Sequence, residues 1–133
     1  MFYDFSFTIP ANTLQKTPYE KDINLTHGVI HRLEIGFPAG PRHMVHVTIR
    51  QGLHQVWPTN SDGSFNSDNY TIVINEYHDM TVEPFTLTLQ GWSPGTTYEH
   101  TIEFRFGILP VIILKPEETF LQAFKTLLKR LRI

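Results

Sequence analysis

Polar and apolar residues alternate along most of this chain with a period of two, the mark of strands that bury one face. Tyr3, Phe5, Phe7 and Ile9 share one side of the first such stretch, and Phe2, Asp4, Ser6 and Thr8 share the other. Pro10-Ala11-Asn12 breaks the pattern. A weaker strand is expected at 21–26, and His27-Gly28 reads as a turn. The next strand places Val29, His31, Leu33, Ile35 and Phe37 together, with Ile30, Arg32 and Glu34 opposite. Pro38-Ala39-Gly40-Pro41 makes a tight connection. His43, Val45, Val47 and Ile49 then share a face, and Gly52 precedes a short strand at 53–57.

A polar loop fills 58–69, after which Tyr70, Ile72 and Ile74 open another strand. Phe85, Leu87 and Leu89 alternate with Thr86, Thr88 and Gln90. Ser93-Pro94-Gly95-Thr96 is the clearest turn in the sequence. It leads to a last strand with His100, Ile102, Phe104 and Phe106 inward. The pattern predicts that these last two strands form a hairpin. Seven or eight short strands between Pro/Gly/Asn/Asp turns predict a mainly β fold, an antiparallel β-sandwich, with a jelly roll as one form the pattern allows.

The tail changes period. Lys115-Pro116-Glu117-Glu118 reads as a helix start. Phe120, Leu121, Phe124, Leu127, Leu128 and Leu131 follow at helical spacing, with Glu117 and Glu118 at the positive end of the helix dipole and Lys129, Arg130 and Arg132 at the negative end. Two parts are therefore expected: a β-sandwich over 1–107, and an apolar arm with an amphipathic helix over 108–133. The arm either finishes its own sandwich, reaches a neighbouring chain, or lies on a membrane surface through Lys125, Lys129, Arg130 and Arg132. The helix is short and the dipole already accounts for its basic end, so a membrane is not expected as a partner.

Composition narrows the chemistry. The 133 residues include no cysteine, which excludes disulfides, thiolate metal sites and cysteine nucleophiles. A net charge of −2 supplies no overall field to attract nucleic acid, so none is expected as a partner. The first residues lack a basic stretch followed by an apolar run, so no signal peptide is expected. The longest apolar run, 108–114, is far shorter than the roughly 20 residues a spanning helix needs.

The seven histidines offer no local chelate. His27 and His31 are too far apart on a strand to share an ion, and His43 and His46 point to opposite faces. His31, His43 and His100 read as hydrogen-bonded interior or interface residues. Asp62, Ser64, Asn66 and Asp68 supply oxygen at every second position of the polar loop. Gly63 is misplaced for an EF-hand, however, and turn chemistry explains the run. His78 beside Glu76 and Asp79 is the one local acid–base cluster, and the sequence carries no hydrolase, kinase or dinucleotide-binding motif. Neither an enzyme nor a cofactor is expected. Asn24-Leu25-Thr26 and Asn69-Tyr70-Thr71 match the glycosylation pattern, which is short and common. Trp57, Tyr77, Trp92 and Tyr98 lie near strand ends; Trp57 and Trp92 are candidate platforms for sugar rings, or core and interface anchors.

The stretch Gly28-Val29-Ile30-His31, Val45-His46-Val47 and 52–60 (GLHQVWPTN), with Glu83-Pro84-Phe85-Thr86-Leu87, Gly91-Trp92, 97–101 (TYEHT) and Ile108-Leu109-Pro110, resembles small all-β proteins of tailed phages and environmental viral sequences. The similarity spans about two-thirds of the chain and contains no catalytic motif. It implies a virion structural protein located in the virion, and in the host cytoplasm during assembly, that acts as capsid decoration or connector through protein–protein contacts. The expected partners are further copies of the chain in a homo-oligomer and a capsid or tail protein. The expected contact residues, from the apolar pattern, are Ile112, Leu114, Phe120, Phe124, Leu127, Leu128 and Leu131. A carbohydrate-binding β-sandwich module using Trp57 and Trp92 is the alternative, and a cupin-like enzyme with a histidine-held metal is the third reading.

Overall fold

A computed structural model describes residues 1–111, 124–125 and 127–129. Among the described residues eight strands form: β1 (Phe2–Ile9), β2 (Tyr19–Asn24), β3 (Gly28–Phe37), β4 (His46–Gln51), β5 (His54–Trp57), β6 (Tyr70–Met80), β7 (Thr86–Trp92) and β8 (His100–Leu109). They make two four-stranded sheets, in the orders β1-β8-β3-β6 and β2-β7-β4-β5. Every paired neighbour is antiparallel.

Successive strands change sheet at every step except β4 to β5. That interleaving is the strand order of a jelly roll, two Greek keys wound into a double sheet. The antiparallel sandwich expected from the period-two pattern is thus the observed fold, and the strand order identifies its form.

The core lies between the sheets. Phe7 and Ile9 of β1, Leu33 and Ile35 of β3, and Ile102, Phe104 and Phe106 of β8 face Ile23, Val47, Ile49, Leu87 and Leu89 of the second sheet. All of these are essentially inaccessible to solvent. Each such side chain contributes about 1.5–3 kcal/mol relative to its exposed state. Among the described residues, every buried member of this cluster comes from the sandwich, between Phe7 and Ile108.

Four features of the fold depart from the sequence pattern. First, β7 and β8 are no hairpin, because they belong to different sheets. The Ser93–Thr96 turn carries the chain from one sheet to the other and is tied to the β1–β2 connection. Ser93 N–H donates to the Thr13 carbonyl at 2.8 Å, and Gly95 N–H donates to Asn12 Oδ1 at 2.8 Å. Alternation cannot tell the two cases apart, since both strands present their apolar faces to the same core. Second, a bulge in β3 between Ile30 and Arg32 shifts the register against both β6 and β8. It puts Ile30 in the core with Leu33 and turns His31 to the outer face, beside the Phe2 ring at 5.9 Å. Third, His43 is exposed and lies outside β4. Arg42 and His43 adopt left-handed backbone angles (φ 51° and 62°) in the turn that precedes Val45. Fourth, β8 takes in Ile108 and Leu109, which the apolar pattern assigns to the arm; Ile108 is buried in the core. The second strand also runs Tyr19–Asn24 rather than 21–26.

Candidate functional site

The C-terminal segment is the first candidate. Backbone at 124–125 and 127–129 is helical. Spacings of three and four residues put Phe124, Leu127 and Leu128 on one side of that helix. They are 48%, 51% and 49% exposed. Lys125 and Lys129 are exposed as well. Among the described residues, the helix adds nothing to the buried core cluster. The other expected contact residues, Ile112, Leu114, Phe120 and Leu131, lie outside the described residues, as do Arg130 and Arg132. Among the described residues, no helix is long and apolar enough to cross a membrane.

The two tryptophans sit on opposite sides of one sheet, so they form no common platform. A bulge in the β4–β5 pairing places Trp57 opposite Ile49, on the inner face. There it is 3% exposed, with the His78 ring at 5.0 Å and the Phe106 ring at 6.4 Å. Its faces are taken up by the core and are closed to a sugar ring. Its Nε1–H is buried without a partner. Trp92 is directly opposite His46 on the outer face. The two rings stack nearly parallel, 5.7 Å apart with 7° between their planes. His46 Nδ1 is 2.9 Å from Ser64 Oγ, which holds the imidazole in place. Burial beneath the indole pushes the His46 pKa down, because the charged form loses solvation there. Of the other two aromatics at strand ends, Tyr77 and Tyr98 are both exposed, and Tyr98 lies 4.6 Å from the buried His100 ring.

Trp92 stands at one end of a polar sheet face. Thr48 donates to Gln90 Oε1 at 3.2 Å, Thr88 to Asp22 Oδ1 at 2.7 Å and Thr86 to Asn24 Oδ1 at 2.9 Å. Arg50 pairs with Glu20 on the same face. The outer face of the other sheet is charged. Arg105 lies between Glu34 (3.3 Å) and Asp4 (3.8 Å), and Arg32 Nε donates to Glu34 at 2.9 Å. The hydrogen bond from Arg32, helped by Arg105, holds the Glu34 carboxyl below the usual carboxylate range. These acids are occupied in ion pairs within and between strands on solvated faces.

His78 occupies a different position from the acid–base cluster that its neighbours in the sequence suggest. It points between the sheets beside Trp57, and its Nε2 is 2.8 Å from Gln51 Oε1. Gln51 Nε2 in turn approaches Met80 Sδ at 3.7 Å. This contact joins β4 and β6 across the open side of the sandwich. Burial lowers the His78 pKa, while Asp79 and Glu76 pull it back up. No local signal announces the cluster, because its members come from three strands that only the tertiary fold assembles.

The polar loop gathers no ion site. Asp62 accepts from Asn60 at 3.1 Å, Ser64 meets His46, Asn66 meets His43 at 3.1 Å, and Asp68 Oδ1 accepts the backbone N–H groups of Gly40 (2.9 Å) and Arg42 (3.0 Å). Those two amides are what depress the Asp68 pKa. Each oxygen serves a different turn. Among the described residues, no three His, Cys, Asp or Glu side chains are grouped so as to hold a metal ion.

No family model and no curated protein matches the chain. Among solved structures, it is similar to one of the disulfide-linked pili that form Bacillus endospore appendages. The match has 10% identity and a TM-score of 0.34, and covers 82% of this chain and 88% of that one.

Proposed function

We propose that this protein is a structural, assembling jelly-roll protein of the virion type, which works by docking to further copies of itself or to a capsid or tail shell through its C-terminal helix. The observation that carries the reading is the half-exposed row Phe124, Leu127 and Leu128 on a helix that, among the described residues, adds nothing to the buried core. A net charge of −2 leaves apolar burial as the main driving force for such a contact. Jelly rolls also serve as lectins and enzymes, so the strand order is compatible with this role and does not select it.

The test is the molar mass of the full chain by light scattering, compared with the Phe124→Asp/Leu128→Asp variant. Both positions are exposed, so the variant should keep the far-ultraviolet circular dichroism of the parent. The reading expects an oligomer for the parent and a smaller species for the variant. A variant with the parent's mass would remove the helix from the contact.

A second reading, a carbohydrate-binding module, is favoured by the Trp92–His46 stack beside the polar side chains Gln90, Thr48 and Ser64. In that reading Trp92 alone is the platform, since Trp57 is inside the core.

A further inference from the structure

The sandwich has four edge strands: β1 and β6 on one sheet, β2 and β5 on the other. An edge strand offers a row of unpaired backbone N–H and C=O groups to any strand that can align with it, and proteins usually blunt such edges. Three of the four are blunted here. On β1, the Lys21 ammonium reaches the Ser6 carbonyl at 2.9 Å. The β2 edge carries Glu20, Lys21 and Asp22 in succession. The β5 edge is only four residues long and is bent by a bulge, and beyond it Phe65 makes a two-way backbone bridge to Val47.

The β6 edge has none of these devices over its first half. At eleven residues it is the longest strand, and Tyr70–Asn75 reads Tyr-Thr-Ile-Val-Ile-Asn, with no charge, no proline and no glycine. Residues of this kind favour extended pairing. Among the described residues, β6 pairs with β3 alone. Tyr70 and Val73 are exposed. Ile72 and Ile74 point inward, opposite Ile35 and Leu33, yet both are only partly buried because they sit at the open side of the core.

We infer that the β6 edge is a self-pairing surface, where β6 of a second copy adds antiparallel about a two-fold axis centred on Val73 to make one continuous eight-stranded sheet. The occupant is argued from the sequence of the edge itself. With Val73 opposite the second copy's Val73, Ile72 falls opposite the second copy's Ile74 on the inner face, and Ile74 opposite its Ile72. The two half-buried isoleucines of each copy thereby cover each other. On the outer face, Thr71 meets the second copy's Asn75. A two-fold contact must match itself in this way. The flat stretch ends where β6 carries extra residues opposite the β3 bulge, between Asn75 and His78, so the paired segment is bounded. Its residues are distinct from Phe124, Leu127 and Leu128.

The absence of cysteine makes the pairing directly testable by crosslinking in the full chain. Residues directly opposite in an antiparallel pair have Cα atoms roughly 4.5–5.5 Å apart, within disulfide range. Val73→Cys should therefore form a disulfide-linked dimer under mild oxidation. It should do so faster than Leu53→Cys, a fully exposed position at the β4–β5 turn, by roughly tenfold or more, because pairing raises the effective concentration of the thiols. Thr71→Cys alone should stay at the Leu53→Cys rate, since its symmetry mate is about 13 Å further along the strands. The double variant Thr71→Cys/Asn75→Cys should crosslink fast and tests the same register if Val73→Cys folds poorly. Both fast variants should keep their rates in the Phe124→Asp/Leu128→Asp background, which separates this surface from the helix contact. Rates at the Leu53→Cys level for both Val73→Cys and the double variant, or fast crosslinking of Thr71→Cys alone, would overturn the inference.

Discussion

Gly91 faces Ile9 and Phe7 of the opposite sheet, and adding one methyl group there tests how the two sheets pack. It sits on the inner face of β7, opposite Val47 and Tyr19. A Cβ at this position would overlap Ile9 Cδ1, and would stand 2.8 Å from Ile9 Cγ1 and 2.9 Å from Phe7 Cε2. Carbon atoms in contact prefer about 3.5–4.0 Å. Gly91 has no left-handed backbone angle, so the cost of alanine is steric. Overpacking of a closed core costs about 1–3 kcal/mol, and three violated contacts from two fully buried neighbours put Gly91→Ala in the upper part of that range.

The clash partner is specific, which gives a sharper test than destabilisation alone. Ile9→Val deletes Cδ1, the atom that the new methyl overlaps, and by itself costs about 0.5–1.5 kcal/mol. When Gly91→Ala and Ile9→Val are combined, the added methyl occupies the space that Cδ1 leaves. The double variant should therefore be more stable than the sum of the single costs predicts, by roughly 1 kcal/mol, the size expected for residues in direct contact. Urea titrations followed by tryptophan emission, to which the buried Trp57 contributes, measure all four proteins. Additive costs would refute the reasoning, because they would mean that Gly91 and Ile9 do not compete for the same volume.

Two further expectations rest on single side chains. The His78 pKa is held below its ordinary 6.5 by burial beside Trp57. The unfolded chain therefore binds the proton first: stability is fully present above about pH 6.5 and declines as pH falls through that value toward the lowered folded pKa. His78→Gln should flatten the drop in urea midpoint between pH 8 and pH 5, leaving a remainder from the half-buried His46; an unchanged pH profile would show that His78 is not the titrating group. If the carbohydrate reading is right, Trp92→Ala loses binding to immobilised glycans while Trp57→Phe, altered only inside the core, keeps it; equal loss in both, or no binding by the parent chain, would dispose of a Trp92 platform.

The side chains that face each other could be read from the sequence wherever the governing constraint is local. Tyr3, Phe5, Phe7 and Ile9 do share the inner side of β1, and His100, Ile102, Phe104 and Phe106 do share that of β8, because a strand reverses its side chains at every residue whatever it pairs with. The spacing of Phe124, Leu127 and Leu128 likewise follows from helical geometry alone. A bulge is enough to defeat this logic: one extra residue at His31 exchanged the faces of Ile30 and His31, and the alternating pattern carries no mark of where a strand will slip.

Everything that depends on partners distant in the chain was decided by the tertiary structure. An apolar face specifies burial but does not specify which sheet buries it, so the sequence was equally consistent with a β7–β8 hairpin and with the observed crossing between sheets. Trp57 and Trp92 are both aromatics at the end of a strand; pairing to Ile49 sends the first into the core, and pairing to His46 leaves the second on the outer face. The same holds for β6. Its alternation of Tyr70, Ile72 and Ile74 is legible in the sequence, but an edge exists only once a sheet has an order, and that order is set by long-range pairing that no local period records.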